Sequence, residues 1–129
     1  MPLIIDTCVL LWMVGDPKKL SENAVQLIKE NQDTLCVSAI SAFEIAIKHK
    51  KNKLELPTEP WEWFEKAADF YNLKEIPVSA KIAALAPAVD VPHADPCDRI
   101  IVASAMTHSL HIVSPDHLIH ECPDVQVSW

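Results

Sequence analysis

Residues 3–12 read LIIDTCVLLW: three bulky apolar residues, Leu3-Ile4-Ile5, then a carboxylate, Asp6, then a second apolar run. A short apolar stretch with no polar alternation is the pattern of a strand covered on both faces, as in a parallel sheet. Asp6 stands where that strand ends. A charge embedded in apolar sequence is costly to leave unpaired. The stretch therefore sets two expectations: a buried strand, and a carboxylate held at its C-terminal end.

The same alternation recurs downstream. Val9 to Val14 reads as a helix closed by the turn Gly15-Asp16-Pro17, and Ser21 as the N-cap of SENAVQLIKEN, whose Ala24, Val25 and Ile28 share a face. Leu35 to Val37 is a second strand ending at Ser38, followed by an amphipathic helix from about Ser41. Asn52 suits the left-handed position after that helix. Pro60 to about Tyr71 is helical, Glu75 to Val78 a weak strand, and Ser79 the cap of a short helix through Ala86. The loop PAVDVPHADP leads into a helix over 96–109; His111 to Val113 is a strand ending at Ser114-Pro115-Asp116. A short helix near 116–121 and a strand from Val125 to Val127 complete the chain. Strands alternating with helices predict an α/β fold with a central parallel sheet of about five short strands flanked by helices. At 129 residues, with no internal repeat or linker, a single domain over 1–129 is expected.

Composition narrows the function. No apolar run reaches the roughly 18 residues of a membrane span, and MPLIID has no basic region ahead of its apolar run, so a cytoplasmic protein is expected. Cys8, Cys36, Cys97 and Cys122 are scattered without a Cys-x-x-Cys pair, which argues against a thiolate zinc site and for reduced, mostly buried thiols. Gly15 is the only glycine, so a glycine-rich phosphate loop is excluded. The formal net charge of −7 opposes non-specific nucleic-acid binding, unless some of the acids hold cations. The basic run Lys48 to Lys53 reads first as a last helical turn complementing the macrodipole.

Four acids stand where such a fold gathers its ligands, outside the carboxyl ends of the strands. Asp6 and Asp116 each follow an expected strand; Glu44 and Asp98 each fall in the first turn of an expected helix. Each of the last three also has a local explanation. Ser41-x-x-Glu44 matches a capping box. Asp95-Pro96-x-Asp98 is a good helix start, with Asp95 as N-cap and Asp98 favoured by the dipole. Asp116 suits the cap of the helix after it. Gathered together, the four carboxylates repel one another, and divalent cations relieve that repulsion. Magnesium or manganese, one ion or two about 3.5–4 Å apart, would then polarise a phosphodiester, ionise a bound water and steady the leaving oxygen.

At the level of motifs the chain resembles the PIN-domain ribonucleases, and among them the VapC-type toxins of bacterial toxin–antitoxin pairs. LIIDTCVLLW resembles the family's strand, Asp-Thr and Leu-Leu-Trp; VSAISAFEIAIKHKKNKLEL its Glu-Ile-x-x-Lys helix and Lys-Leu-x-Leu tail; HADPCDRIIVASA its His-x-Asp-Pro-x-Asp-Arg helix; IVSPD its strand-Thr-x-Asp. The resemblance implies a PIN-like three-layer fold and a metal-dependent endoribonuclease. Asp6, Glu44, Asp98 and Asp116 would be its metal-binding and catalytic quartet, with Asp6 and Asp98 the leading ligands. It places Thr7 and Ser114 beside the site as hydroxyl donors, makes Asp95 a cap and supporting group, and leaves Arg99 to pair with a carboxylate or to meet RNA phosphate, the structural pairing being favoured. It implies RNA as substrate, a homodimer, and an antitoxin whose C-terminal segment lies across a groove for which Trp12, Trp61 and Trp63 are candidates; ordinary core packing is the alternative for these tryptophans. Cys8, Cys97, Asn52 and Ser114 depart from the usual family residues, and none of these departures removes an acid.

Two other readings compete. A haloacid-dehalogenase-type phosphatase also begins with a strand and an aspartate, but requires a second aspartate two residues on, where this chain has Cys8. A non-catalytic interaction module would use the acids only as helix caps.

Overall fold

A computed structural model describes residues 1–92 and 95–129; His93 and Ala94 of the His-Ala-Asp-Pro stretch lie outside the described residues. The chain runs β1 (Leu3–Ile5), α1 (Thr7–Gly15), a 3-10 turn (Pro17–Lys19), α2 (Glu22–Glu30), β2 (Leu35–Ser38), α3 (Ile40–Lys50), α4 (Pro60–Phe70), β3 (Lys74–Ile76), α5 (Ala80–Leu85), α6 (Pro96–His108), β4 (His111–Val113), α7 (His117–His120) and β5 (Val127–Ser128). The five strands pair in the order β3-β2-β1-β4-β5, all parallel. This is the α/β three-layer architecture expected from the alternation of elements.

The central strands are uniformly apolar because both faces of the sheet are covered. Alternate side chains of one strand enter different cores. Ile4, Cys36 and Ile112 pack with Ile82, Ile101, Val102 and Ile119 on the α5–α6–α7 side. Leu3, Ile5, Leu35, Val37 and Val113 pack with Val9, Leu10, Ile28, Ile45 and Phe64 under α1 to α4. Ser21, Ser79 and Asp95 cap α2, α5 and α6 through their side-chain oxygens. Asn52 follows α3 with φ 58°, the left-handed conformation that asparagine tolerates.

Three expectations need correction. Ser41 caps nothing: α3 begins at Ile40 behind Ala39, no side chain of Ala39 caps it, and the Ile40 N–H donates to Ser38 Oγ at 3.1 Å. Because β2 continues through Ser38, the helix starts earlier than the Ser-x-x-Glu pattern suggests, and Ser41 is buried inside it. The third strand lies at Lys74–Ile76 and the last at Val127–Ser128, each displaced from the apolar windows at 75–78 and 125–127. Pairing with Cys36–Ser38 and Ile112–Val113 sets those edge strands, and short edge segments carry little hydrophobic pattern of their own. Among the described residues no helix is long and apolar enough to cross a membrane.

Candidate active site

After β1 the chain moves outward to β2 and β3, then crosses back so that β4 and β5 lie on the other side of β1. Successive connections therefore diverge between β1 and β4, and the carboxyl ends of those two strands are the switch point at which open α/β sheets bind their ligands. Asp6 leaves β1 there, and Ser114 and Asp116 leave β4 there. The Asp6 N–H donates to the Val113 carbonyl at 3.0 Å, which locks the two strand ends together.

Asp6 is only 5 % exposed. Its Oδ1 accepts the Thr7 N–H at 2.7 Å, so it caps α1, and its Oδ2 accepts the Ser114 hydroxyl at 2.6 Å. Burial raises its pKa; the hydrogen bonds from Ser114 and Thr7 oppose the rise, and the charges of Glu44 and Asp116 add to it. Asp98 lies one turn inside α6, beyond the Asp95 cap, and is 8 % exposed. Burial, then the charges of Asp6, Asp95, Glu44 and Asp116, push its carboxyl up to about 8. Glu44 projects from α3 with Oε2 at 4.0 Å from Lys48 Nζ, while its Oε1 is buried with no hydrogen-bond partner among the described residues. Asp116 Oδ1 accepts the Leu118 N–H at 2.9 Å and caps α7, and its own N–H donates to Ser114 Oγ at 3.0 Å. The Ser114 hydroxyl thus gives its proton to Asp6 and receives one from the Asp116 backbone.

The elements from which the four acids project therefore bring them into one electrostatic neighbourhood. Among the described residues no three His, Cys, Asp or Glu side chains form a ready-made metal cage. The group is an open set of oxygen donors that repel one another, with one carboxylate oxygen buried and unpartnered. Such a set suits a hard divalent cation, and magnesium in particular keeps several waters and takes only a few protein oxygens. Asp6, Asp98, Glu44 and Asp116 are the residues that could hold it.

The supporting residues divide. Thr7 is buried, and its hydroxyl pairs with Ser41 Oγ at 2.8 Å, joining α1 to α3. Arg99 meets backbone carbonyls, with Nη1 donating to Val89 at 2.9 Å and Nη2 to Val91 at 3.1 Å, so it braces the loop ahead of α6. Cys36, Cys97 and Cys122 are buried and Cys8 is half-buried, all four free. Burial pushes the Cys8 and Cys97 thiols up to about 12, so both stay protonated beside the acids. Trp12 and Trp63 line one groove of about 550 Å³, together with Lys19, Lys48 and Lys53. Trp12 also packs against Trp129 at 5.8 Å between ring centroids. Trp61 is 62 % exposed on α4 and lies outside that groove lining. Sequence reasoning missed the Ser41 partner of Thr7 and a bond from His120 Nε2 to the Ser114 carbonyl at 2.6 Å. The i,i+4 spacing of Glu44 and Lys48 was the one local signal available for their pairing.

The PIN domain family profile matches residues 3–123. The chain is 30 % identical over 130 residues to ribonuclease VapC22 of Mycobacterium tuberculosis, covering 98 % of each chain. The DNA-bound VapBC complex of Salmonella typhimurium contains a chain that superposes with a TM-score of 0.70 at 15 % identity, over 99 % of this chain and 97 % of that one. A chain of the Rickettsia felis VapBC2 complex with a fragment of its promoter DNA gives 0.69 at 13 % identity, over 99 % and 98 %. A toxin–antitoxin complex from Klebsiella pneumoniae gives 0.63 at 18 % identity, over 98 % and 96 %. These likenesses between solved structures and this chain are likenesses of fold. With a profile match spanning most of its length, and a VapC ribonuclease relative aligned end to end, the chain belongs to the PIN-domain family and, within it, to the VapC type.

Proposed function

We propose that this protein is a metal-dependent endoribonuclease, the toxin of a toxin–antitoxin pair. The observation that supports the reading is that Asp6 and Asp98 are buried and each feels the charges of Glu44 and Asp116. The ribonuclease relative supports RNA as the substrate, and the structural neighbours support an antitoxin as partner. Asp6, Asp98, Glu44 and Asp116 would hold one or two magnesium or manganese ions. When bound, such ions lower the pKa of water and stabilise the charge of an in-line phosphodiester attack.

The chain's own residues supply the rest. Ser114 holds Asp6 Oδ2 in a fixed direction by its hydroxyl, and the Thr7 N–H fixes Oδ1. Asp98, buried one turn into α6, feels the charges of Asp6, Glu44 and Asp116 and would share a metal ion with them, which relieves that repulsion. Lys48, 38 % exposed at its side chain and 4.0 Å from Glu44, would supply positive charge to a bound phosphate. The groove of Trp12 and Trp63 is the place for an antitoxin segment, its tryptophans offering rigid apolar area and its lysines charge. Trp61, outside that groove, is a candidate for a separate contact surface, such as that of a homodimer. A protein acting in this way would work in the cytoplasm, on RNA.

The interaction-module reading has a specific observation in its favour: Asp6, Asp95 and Asp116 do cap helices. Capping explains neither Asp98 nor Glu44, neither of which is the cap of its helix. The test is to incubate RNA with wild type and Asp98→Asn in Mg²⁺ and map the ends. The reading requires 5′-phosphate and 3′-hydroxyl products from wild type and none from the variant. Ends with 2′,3′-cyclic phosphate, or undiminished cleavage by Asp98→Asn, would overturn it.

A further inference from the structure

Ser114 is completely buried, and each of its polar groups has a partner. Its N–H donates to the Ser128 carbonyl at 3.1 Å, its hydroxyl donates to Asp6 and accepts from Asp116, and its carbonyl faces His120 Nε2 at 2.6 Å. A carbonyl can only accept, so Nε2 carries the proton whichever charge state the ring adopts. Pro115 follows and has no N–H to brace the turn. α7 is a single turn of four residues, so its last residue, His120, reaches back over Asp116 to the start of the turn. One side chain thereby closes a loop running from Ser114 through Asp116 to His120.

We propose that His120 is a positioning residue for the acidic site: its Nε2–H, seated on the Ser114 carbonyl, fixes the Ser114–Asp116 turn that orients Asp6 and presents Asp116. The inference rests on the reading of these acids as the reactive site. His120 touches none of the acids through this bond and acts through Ser114. Without the donor a buried carbonyl loses its partner, and the turn can rotate the hydroxyl away from Asp6 Oδ2. Groups that orient metal-binding side chains from behind typically change metal affinity by about 10–100-fold when removed.

The test uses the full chain as wild type, His120→Ala and His120→Gln, the glutamine amide offering an N–H at nearly the same reach. Amide exchange at Asp116 is followed by NMR in metal-free protein, and Mn²⁺ affinity by calorimetry. His120→Ala should exchange the Asp116 amide about tenfold faster and bind Mn²⁺ about tenfold more weakly, and His120→Gln should return both toward wild type. Unchanged exchange in His120→Ala, or a glutamine variant as impaired as the alanine one, would overturn the inference. A wild type that takes up no Mn²⁺ would sink the metal reading instead, while the exchange comparison would still decide the role of His120.

Discussion

Replacing Asp98 by asparagine should abolish cleavage and, in metal-free buffer, make the protein more stable. The asparagine keeps the shape and helix position but removes the charge. Asp98 has an ordinary carboxyl pKa in the unfolded chain and one pushed up to about 8 in the folded protein. The native state therefore binds the proton more tightly than the unfolded state, and stability declines as pH rises from about 4 to about 8. At pH 7 the full linkage from that shift is roughly 4 kcal/mol. Relaxation of the surrounding groups gives even buried charges an effective dielectric well above that of dry protein, and about 2 kcal/mol is the gain expected of Asp98→Asn. For a chain of this length that is a rise in Tm of about 6–10 °C. Thermal unfolding in EDTA at pH 4 and pH 7 measures it: the variant's advantage should be small at pH 4, where Asp98 is protonated in the folded state and about half protonated in the unfolded chain, and larger at pH 7. An Asp98→Asn protein no more stable than wild type at pH 7 would refute the claim that these carboxylates strain one another.

Other substitutions probe the frame around the site. Ile101 of α6 is fully buried against the sheet, so Ile101→Ala should cost about 3–4 kcal/mol by urea unfolding, from lost burial and the cavity left behind. Arg99→Ala removes the bonds to the Val89 and Val91 carbonyls and should cost about 2 kcal/mol, with Arg99→Lys recovering only part because an ammonium cannot span both. Cys8 and Cys97, with thiols held at about 12, should label far more slowly with a thiol reagent at pH 8 in folded protein than in urea; equal rates would contradict their burial.

Much of this fold is readable in the sequence where local pattern and tertiary need coincide. Leu3-Ile4-Ile5 is a buried strand by composition and by position, and Ser21, Ser79 and Asp95 cap helices because a cap is a local bond. The pattern misleads where a neighbour overrides it. Ser41-x-x-Glu44 has the letters of a capping box, yet β2 delivers the chain into α3 early, and Ser41 turns inward to meet Thr7 across 34 positions of sequence. The edge strands slide to the register that β2 and β4 offer. At the site, the positions of Asp6, Glu44, Asp98 and Asp116 follow from the order of strands and helices, and can be anticipated. What Arg99 and His120 hold cannot, because backbone carbonyls leave no signature in side-chain identity. Cap and site are also not exclusive roles: Asp6 caps α1 through Oδ1 while its Oδ2 is held by Ser114 and its charge acts on Asp98.

Whether these four carboxylates hold a metal is decided by a calorimetric titration of Mn²⁺ into metal-free wild type and Asp98→Asn. Wild type should bind one or two ions saturably, with a matching rise in Tm, and the variant should lose both. A wild type that binds no Mn²⁺ and gains no thermal stability from it, or a variant that binds as wild type does, would contradict a metal site built on these acids.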